Sequence, residues 1–360
     1  MSGWEDVLGH DAIVDRFQKA LRRQRLASTY LFVGPHGIGK RLFAVRLAQS
    51  LLCQSTPEDE LDCCRTCPAC QQVVAGTHPD LVEIRKPEDK QFIPLELLIG
   101  ESGHRMHEGF CHAISLRPTY GKRKVAIIDD ADYLNEEGAN ALLKTLEEPP
   151  AGSVIILIGT ATQKQLPTIR SRSQIIRFRP LDTPHVATLL EKLELAESPE
   201  QASQAAQFSK GSLQTAQEWF AEEHLQFRQD WLMLLAQPRK LEREGAQRLH
   251  DHIQSAGSDN WAKRQAMRLA SQVAIEFYRS LLHRRHGRDV ANDPTLEQSI
   301  QGFLKDQQVS DRQVIQAIER SVEAEQQIGM NVHPNAWSDA WLSDLQQIAR
   351  GLWCEHTLAR

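Results

Sequence analysis

The run Gly34-Pro35-His36-Gly37-Ile38-Gly39-Lys40-Arg41 departs at one position from the pattern G-x-x-x-x-G-K-[ST]. Gly34, Gly37 and Gly39 permit a tight turn, and the loop's N–H groups with the following helix N-terminus attract phosphate oxygens. Lys40 can then reach the terminal phosphates of ATP or ADP. The last position of the pattern supplies the hydroxyl that ligates Mg²⁺, and here it is Arg41, whose guanidinium cannot ligate a cation. Nucleotide binding and hydrolysis are therefore separate questions, Mg²⁺ is the doubtful member of the set, and the loop favours binding over turnover.

Two more groups carry chemistry. The apolar run before Asp129 and Asp130 ends as a strand would before a Walker B acid, with Asp129 placed to hold Mg²⁺ and Asp130 to polarise water. Asp130 is the weaker candidate because the second acid of such sites is usually the longer Glu. The plain alternative is a pair of helix-capping acids. Five of the seven cysteines fall between Cys53 and Cys70, and Cys64-x-x-Cys67-x-x-Cys70 with Cys53 can offer four thiolates to a tetrahedral, closed, structural Zn²⁺. Cys63 breaks the spacing and reads as a spectator, while Cys111 and Cys354 stand apart as packing residues.

Regular elements must position these groups. Apolar residues at Ile13, Val14, Phe17, Ala20 and Leu21 share one face of a helix from Asp11 to about Arg22. Short apolar runs at Tyr30 to Val33, Leu81 to Ile84, Val125 to Ile128 and Val154 to Ile158 suit strands buried on both faces. Helices are expected from Leu42 to Leu52, as one piece from about Pro94 to Ile114, and after Asn135, an N-cap with Glu136 and Glu137 in the first turn. This alternation predicts an α/β, three-layer fold with a parallel sheet, ending between about Leu166 and Pro180. Beyond Pro180 the pattern is helical, with Ala262 to His286 the longest stretch and a loop at Gly287 to Pro294.

Composition bounds the rest. At roughly 100 to 200 residues per domain, 360 residues make two or three domains. With 41% hydrophobic and 25% charged residues the chain is an ordinary globular one rather than disordered or fibrous. A net charge of −5 excludes a global attraction for nucleic acid or anionic lipid. No apolar stretch reaches the ~18 residues of a membrane span and no signal-peptide pattern opens the chain, so a cytoplasmic location without membrane partners is expected. A cysteine cluster in that reducing compartment favours metal over disulfides.

Together with Ala139 to Pro150 (ANALLKTLEEPP) and Ile169 to Ser173 (IRSRS), these motifs resemble the bacterial DNA polymerase III clamp-loader ATPases of the AAA+ superfamily. The likeness is strong from about Leu8 to Pro180 and continues more weakly through Lys210 to Gln217 and Asn331 to Trp337. Ala75 to Leu81 (AGTHPDL) and the overall length are more similar to the delta-prime branch than to gamma/tau. The resemblance implies an AAA+ nucleotide-binding domain over residues 1–175 with a zinc module at about 53–75, a helical lid domain over 176–218, and an all-helical collar or oligomerisation domain over 219–360. It implies a five-subunit ring with delta and gamma/tau subunits that helps load the sliding clamp onto primed DNA as part of the polymerase holoenzyme.

By the same resemblance Arg172, in the family's Ser-Arg-Cys motif with Ser173 in place of cysteine, acts in trans on a neighbour's ATP. The plain alternative is an arginine paired with a surface carboxylate. Thr160 falls at the sensor-1 position, and the sensor-2 arginine is replaced by Gln214, a neutral amide that cannot contact phosphate as a charge. Lys144 and Thr145 fall on the family's DNA-facing helix, where an exposed, solvated lysine is an equal reading. Arg41, Asp130 and Gln214 point to weak or absent hydrolysis at this chain's own site. An active gamma/tau-type motor remains the alternative, supported by Lys40 and Asp129. A zinc-dependent nucleic-acid-binding module is the third reading, opposed by Glu58, Asp59, Glu60 and Asp62 around the cysteines.

Overall fold

The computed structural model describes residues 3–352 apart from 88, 106, 221, 258–259, 289–292, 308 and 331. Cys354, Asn331 and part of the 287–294 loop lie outside the described residues. The chain divides into two compact units, residues 1–218 and 219–360.

In the first unit five strands, β1 (Thr29–Val33), β2 (Leu81–Ile84), β3 (Lys124–Ile128), β4 (Ser153–Gly159) and β5 (Gln174–Arg177), form one sheet of order β2-β3-β4-β1-β5. Every pairing is parallel. All residues of β1, β3 and β4 are buried, as both-face burial in the middle of such a sheet requires. The two-residue period then divides the side chains between two cores. Tyr30, Phe32, Val125, Ile127, Val154 and Ile156 face one side, and Leu31, Val33, Ala126, Ile128, Ile155 and Leu157 face the other.

Helices α1 (Asp11–Arg22) and α2 (Lys40–Leu52) cover the first side through Phe17, Leu21, Phe43 and Leu47, and α3 (Pro68–Val74) packs next to α2. On the other side lie α4 (Leu95–Ile99), α5 (Gly109–Ser115), α6 (Glu136–Glu147) and α7 (Pro167–Arg172), through Leu98, Phe110, Leu142 and Ile169. Asn135 does cap α6, its side chain accepting from Gly138 N–H at 2.8 Å.

The single helix expected from Pro94 to Ile114 is two short ones, α4 and α5. Gly100 ends α4 at φ 86° and Gly109 opens α5 at φ 81°. Their backbones touch: a Cβ on Gly109 would lie 2.7 Å from Gly100 N. No side chain could occupy that contact, and apolar periodicity is blind to it. Strand β5 also went unread. Among the described residues it pairs only with β1, and three of its four residues are exposed or half-exposed, so it lacks the apolar run that marks the inner strands. Helices α8 (Thr183–Lys192), α9 (Pro199–Phe208) and α10 (Leu213–Glu218) complete the unit and pack on one another.

The second unit is helical throughout its described residues: α11 (Glu222–Leu235), α12 (Pro238–Lys240), a π-turn at Leu241–Gly245, α13 (Ala246–Ser255), α14 (Asn260–Arg285), α15 (Pro294–Asp306), α16 (Asp311–Gln327) and α17 (Pro334–Ala349). The 26-residue α14 packs against α16, and its Phe277 joins Phe227, Trp231 and Trp341 in one core. Each buried indole there has a partner, as burial of an N–H demands: Trp231 donates to Ala270 O at 3.0 Å, Trp337 to Ala324 O at 2.9 Å and Trp341 to Ser321 Oγ at 3.3 Å.

Candidate functional site

The sheet order puts β3, β4 and β1 side by side, so the segments leaving their carboxyl ends converge, as ligand sites of open parallel sheets do. After β1 the chain turns through Gly34 to Gly39 into α2. Gly37 and Gly39 have φ of 69° and 92°, which favour glycine. A Cβ on Gly34 would lie 2.6 Å from Phe178 O, and one on Gly37 2.5 Å from Gln214 Cβ. The loop is held from two directions: His10 Nε2 donates to Ile38 O at 2.7 Å, and Leu213 N–H donates to Gly37 O at 2.8 Å.

Lys40 is the first residue of α2 and is buried. Its ammonium donates to Gly34 O at 2.7 Å and Pro35 O at 2.5 Å, so it sits inside the loop's own carbonyls. Burial pulls its pKa down to about 8, with Asp129, Asp132 and Asp130 pulling the other way. His36, in the same loop, is held below its ordinary value by burial and by the Lys40 charge.

Arg41 turns towards the sheet. Its Nε and Nη2 donate to Glu83 Oε1 at 2.9 and 2.5 Å, and Nε lies 3.5 Å from Asp129 Oδ2. Burial and the neighbouring Asp130 charge raise the Asp129 pKa. Asp130 N–H donates to Asp129 Oδ1 at 3.0 Å, and Asp130 takes a left-handed backbone with φ 58°. The residues present do not fit a Mg²⁺ site, because the hydroxyl is absent and a guanidinium lies against the carboxylate that would bind the ion.

Thr160 follows β4, and its polar atoms are committed to Asp132. The backbone N–H donates to Asp132 Oδ2 at 2.9 Å, and the hydroxyl also donates to Oδ2. Gln165 Nε2 donates to Asp132 Oδ1, and Lys164 lies 3.8 Å from Oδ2. Asp132 and Glu83 are the polar anchors that sequence reasoning missed. Asp132 stands in the same acidic run as Asp129 and Asp130, a signal that existed, whereas Glu83 carries none because only strand pairing brings it near Arg41. Gln214, on α10, donates through Nε2 to Glu218 Oε1 at 3.3 Å.

Arg172 ends α7 and lies outside this group. Its Nε donates to Glu147 Oε1 at 2.9 Å, Nη2 contacts the same oxygen, and Nη1 donates to Thr168 O at 3.0 Å. The Arg172 and Glu147 side chains are 32% and 48% exposed. An exposed pair of this kind is worth about 0–1 kcal/mol, so a competing anion can take the guanidinium. On α6, Lys144 is exposed, while Thr145 is half-buried.

The sulfurs of Cys53, Cys64, Cys67 and Cys70 lie within 4.8 Å of one another. Cys53 Sγ is 3.7 Å from Cys64 Sγ and 4.0 Å from Cys67 Sγ, and Cys64 Sγ is 3.9 Å from Cys70 Sγ. A tetrahedron with Zn–S of about 2.3 Å has edges of about 3.8 Å, so these four residues fit the metal. Backbone N–H groups already point at two sulfurs, Cys67 N at Cys64 Sγ (3.3 Å) and Cys70 N at Cys67 Sγ (3.4 Å). The N–H of Cys67 is the main cause of the Cys64 pKa falling to about 5, the thiolate a metal needs. Burial pushes the Cys70 thiol up, and the Cys67 and Cys53 sulfurs add to that. Cys63 points elsewhere, 3.9 Å from Gln49 Oε1.

Comparison with known proteins meets this geometry. The family described as DNA polymerase III, delta subunit, matches residues 9–182. DNA polymerase III subunit delta' of Pseudomonas aeruginosa is 37% identical over 198 residues, which cover 54% of this chain and 56% of that protein. Subunit tau of Bacillus subtilis is 32% identical over 194 residues, covering 54% of this chain and 32% of that protein. The chain therefore spans about half the length of the first of these relatives and about a third of the second. A DNA polymerase III gamma subunit-related protein of Thermotoga maritima, of known structure, is 16% identical with a TM-score of 0.38, covering 93% of this chain and 100% of that one. A likeness at that score carries no argument. The family match spans the sheet, the Gly34–Arg41 loop and the segment bearing Arg172, and over residues 9–182 the chain is similar to the DNA polymerase III delta-subunit family.

Proposed function

We propose that this protein is a clamp-loader subunit of the delta-prime kind, which donates Arg172 to ATP held by a neighbouring subunit and turns over little or no ATP itself. The observation that carries this reading is the contrast between two arginines. Arg41 lies where Mg²⁺ chemistry would be needed, held by Glu83 and Asp129, and so argues against hydrolysis at the chain's own loop. Arg172 is held only by an exposed carboxylate and two polar neighbours, and so is free to transfer to phosphate. A delta' and a tau relative each align over 54% of the chain at similar identity, and Arg41, Asp130 and Gln214 favour delta-prime over a motor subunit.

In this reading residues 1–175 form the AAA+ domain, with Cys53, Cys64, Cys67 and Cys70 holding a structural zinc inside an inserted module at about 53–75. Residues 176–218 form the lid, and 219–360 the collar that joins a five-subunit ring with delta and gamma/tau subunits in the cytoplasm. The ring acts on the sliding clamp and primed DNA, with Lys144 available to a DNA phosphate. The phosphate loop, through Gly34, Gly37, Gly39, Lys40 and Arg41, binds ATP or ADP without using Asp129 and Asp130 for turnover, and Thr160 serves mainly to fasten the end of β4.

Reconstitution tests the assignment. Mixed with delta and gamma/tau subunits, the chain is expected to co-elute as one complex whose clamp- and DNA-stimulated ATPase falls to background when this chain is left out. A complex of equal activity without it contradicts the assignment.

A further inference from the structure

We infer that Arg41 is a built-in cation that takes the place of Mg²⁺, so that the phosphate loop holds the phosphate chain of a nucleoside di- or triphosphate without a divalent metal. The inference rests on the reading that this loop binds phosphate, and adds which chemical form of ligand it takes. A phosphate loop normally meets the charge of a bound nucleotide with a lysine and a metal ion that is itself fixed by a hydroxyl and a carboxylate. Here the hydroxyl is missing, and the carboxylate, Asp129, has Arg41 Nε at 3.5 Å. Glu83, on the neighbouring strand, fixes the same guanidinium at 2.9 and 2.5 Å. Glu83 on β2 and Asp129 just past the end of β3 thus hold one positive charge where two acids would otherwise repel phosphate.

The arrangement leaves capacity for a ligand. The contacts to Glu83 and Asp129 use Nε and Nη2, and a guanidinium has five N–H donors, so Nη1 can still donate to a phosphate oxygen. Arg41 is the second residue of α2, beside Lys40 at the helix N-terminus, and its side chain is 52% exposed. Lys40 needs only to leave the carbonyls of Gly34 and Pro35 to meet the same ligand. A guanidinium is a fixed, always-charged group suited to phosphate, so this site would need no metal and give it no place. The competing view, that Arg41 merely forms a surface ion pair, makes no such demand on metal dependence.

Titration calorimetry of the full chain with ADP, ATP and inorganic pyrophosphate, each in Mg²⁺ and in EDTA, decides the matter. We expect ADP and ATP to bind with affinities that differ by less than about twofold between the two conditions. Arg41→Thr is expected to lose about tenfold or more of its affinity in EDTA, as loss of a charge-assisted hydrogen bond would cost, and to regain it with Mg²⁺. Wild-type binding that requires Mg²⁺, or no binding of any of the three ligands, overturns the inference. Pyrophosphate binding as tightly as ADP overturns the nucleotide as occupant. If Arg41→Thr does not fold, the wild-type comparison alone still decides. Failure here leaves the role of Arg172 standing, because that role is read at the neighbour's site.

Discussion

Asp132 orders the end of β4 by taking three donors at once, the Thr160 N–H, the Thr160 hydroxyl and Gln165 Nε2. The sequence showed its acidity but not its partners, which lie 28 and 33 residues away and meet only through the sheet. The phosphate-loop glycines, Lys40 and the four cysteines were legible because their spacing is local. Glu83 was not, because its meeting with Arg41 across 42 residues is a tertiary event. A buried acid in the second unit was missed for the same reason. Glu276 and Asp293 share one guanidinium, Arg228 Nη2 lying 3.1 and 2.6 Å from their oxygens. Burial raises the Glu276 pKa to about 7, Arg228 lowers it in part and Asp293 adds to the rise. The folded unit therefore keeps a proton that the unfolded chain, with an ordinary value of 4.5, has already released. Stability from this group is highest below about pH 4.5 and is lost as pH rises to about 7, by roughly 2–3 kcal/mol. Urea unfolding of the second unit should show that slope, and Glu276→Gln should flatten it; an unchanged slope in the variant would assign it to other groups.

At the scale of elements, the inner strands announced themselves as short apolar runs, since burial on both faces leaves no alternation to hide them. Strand β5 did not, because an edge strand with exposed residues reads like a loop. The false single helix from Pro94 to Ile114 has a comparable cause: the apolar spacing of Leu98, Phe110 and Ile114 continues across a break made by Gly100 and Gly109. The cysteine module is the element whose stability is most open to test. Four thiol groups held within 4.8 Å would gain from a shared cation, which would also fix the turn from Cys64 to α3. We expect one zinc per chain. Cys64→Ser is expected to lose it and to lower the Tm of the first unit by roughly 5–10 °C, while Cys63→Ser keeps the metal. Equal zinc content in both variants would contradict the four-cysteine set.

For the whole molecule, the two compact units differ in kind, one organised around a parallel sheet and the other around Trp231, Trp341 and Phe277 between helices. That change was readable, because the strand pattern stops near Pro180 and apolar residues thereafter follow helical spacing. The proposed role in DNA loading was not readable from a net charge of −5, since in that role attraction for DNA would have to come from partners of other charge. The account therefore turns on chemistry delivered to a partner. ATP hydrolysis by the reconstituted clamp loader, measured with Arg172→Ala in this chain alone, is its most direct test. The account predicts a fall of about a hundredfold or more at the site facing this subunit, as removal of an arginine finger produces, and a far smaller loss for Lys40→Ala. Wild-type hydrolysis by Arg172→Ala, with a collapse in Lys40→Ala, would contradict it and make this chain a motor.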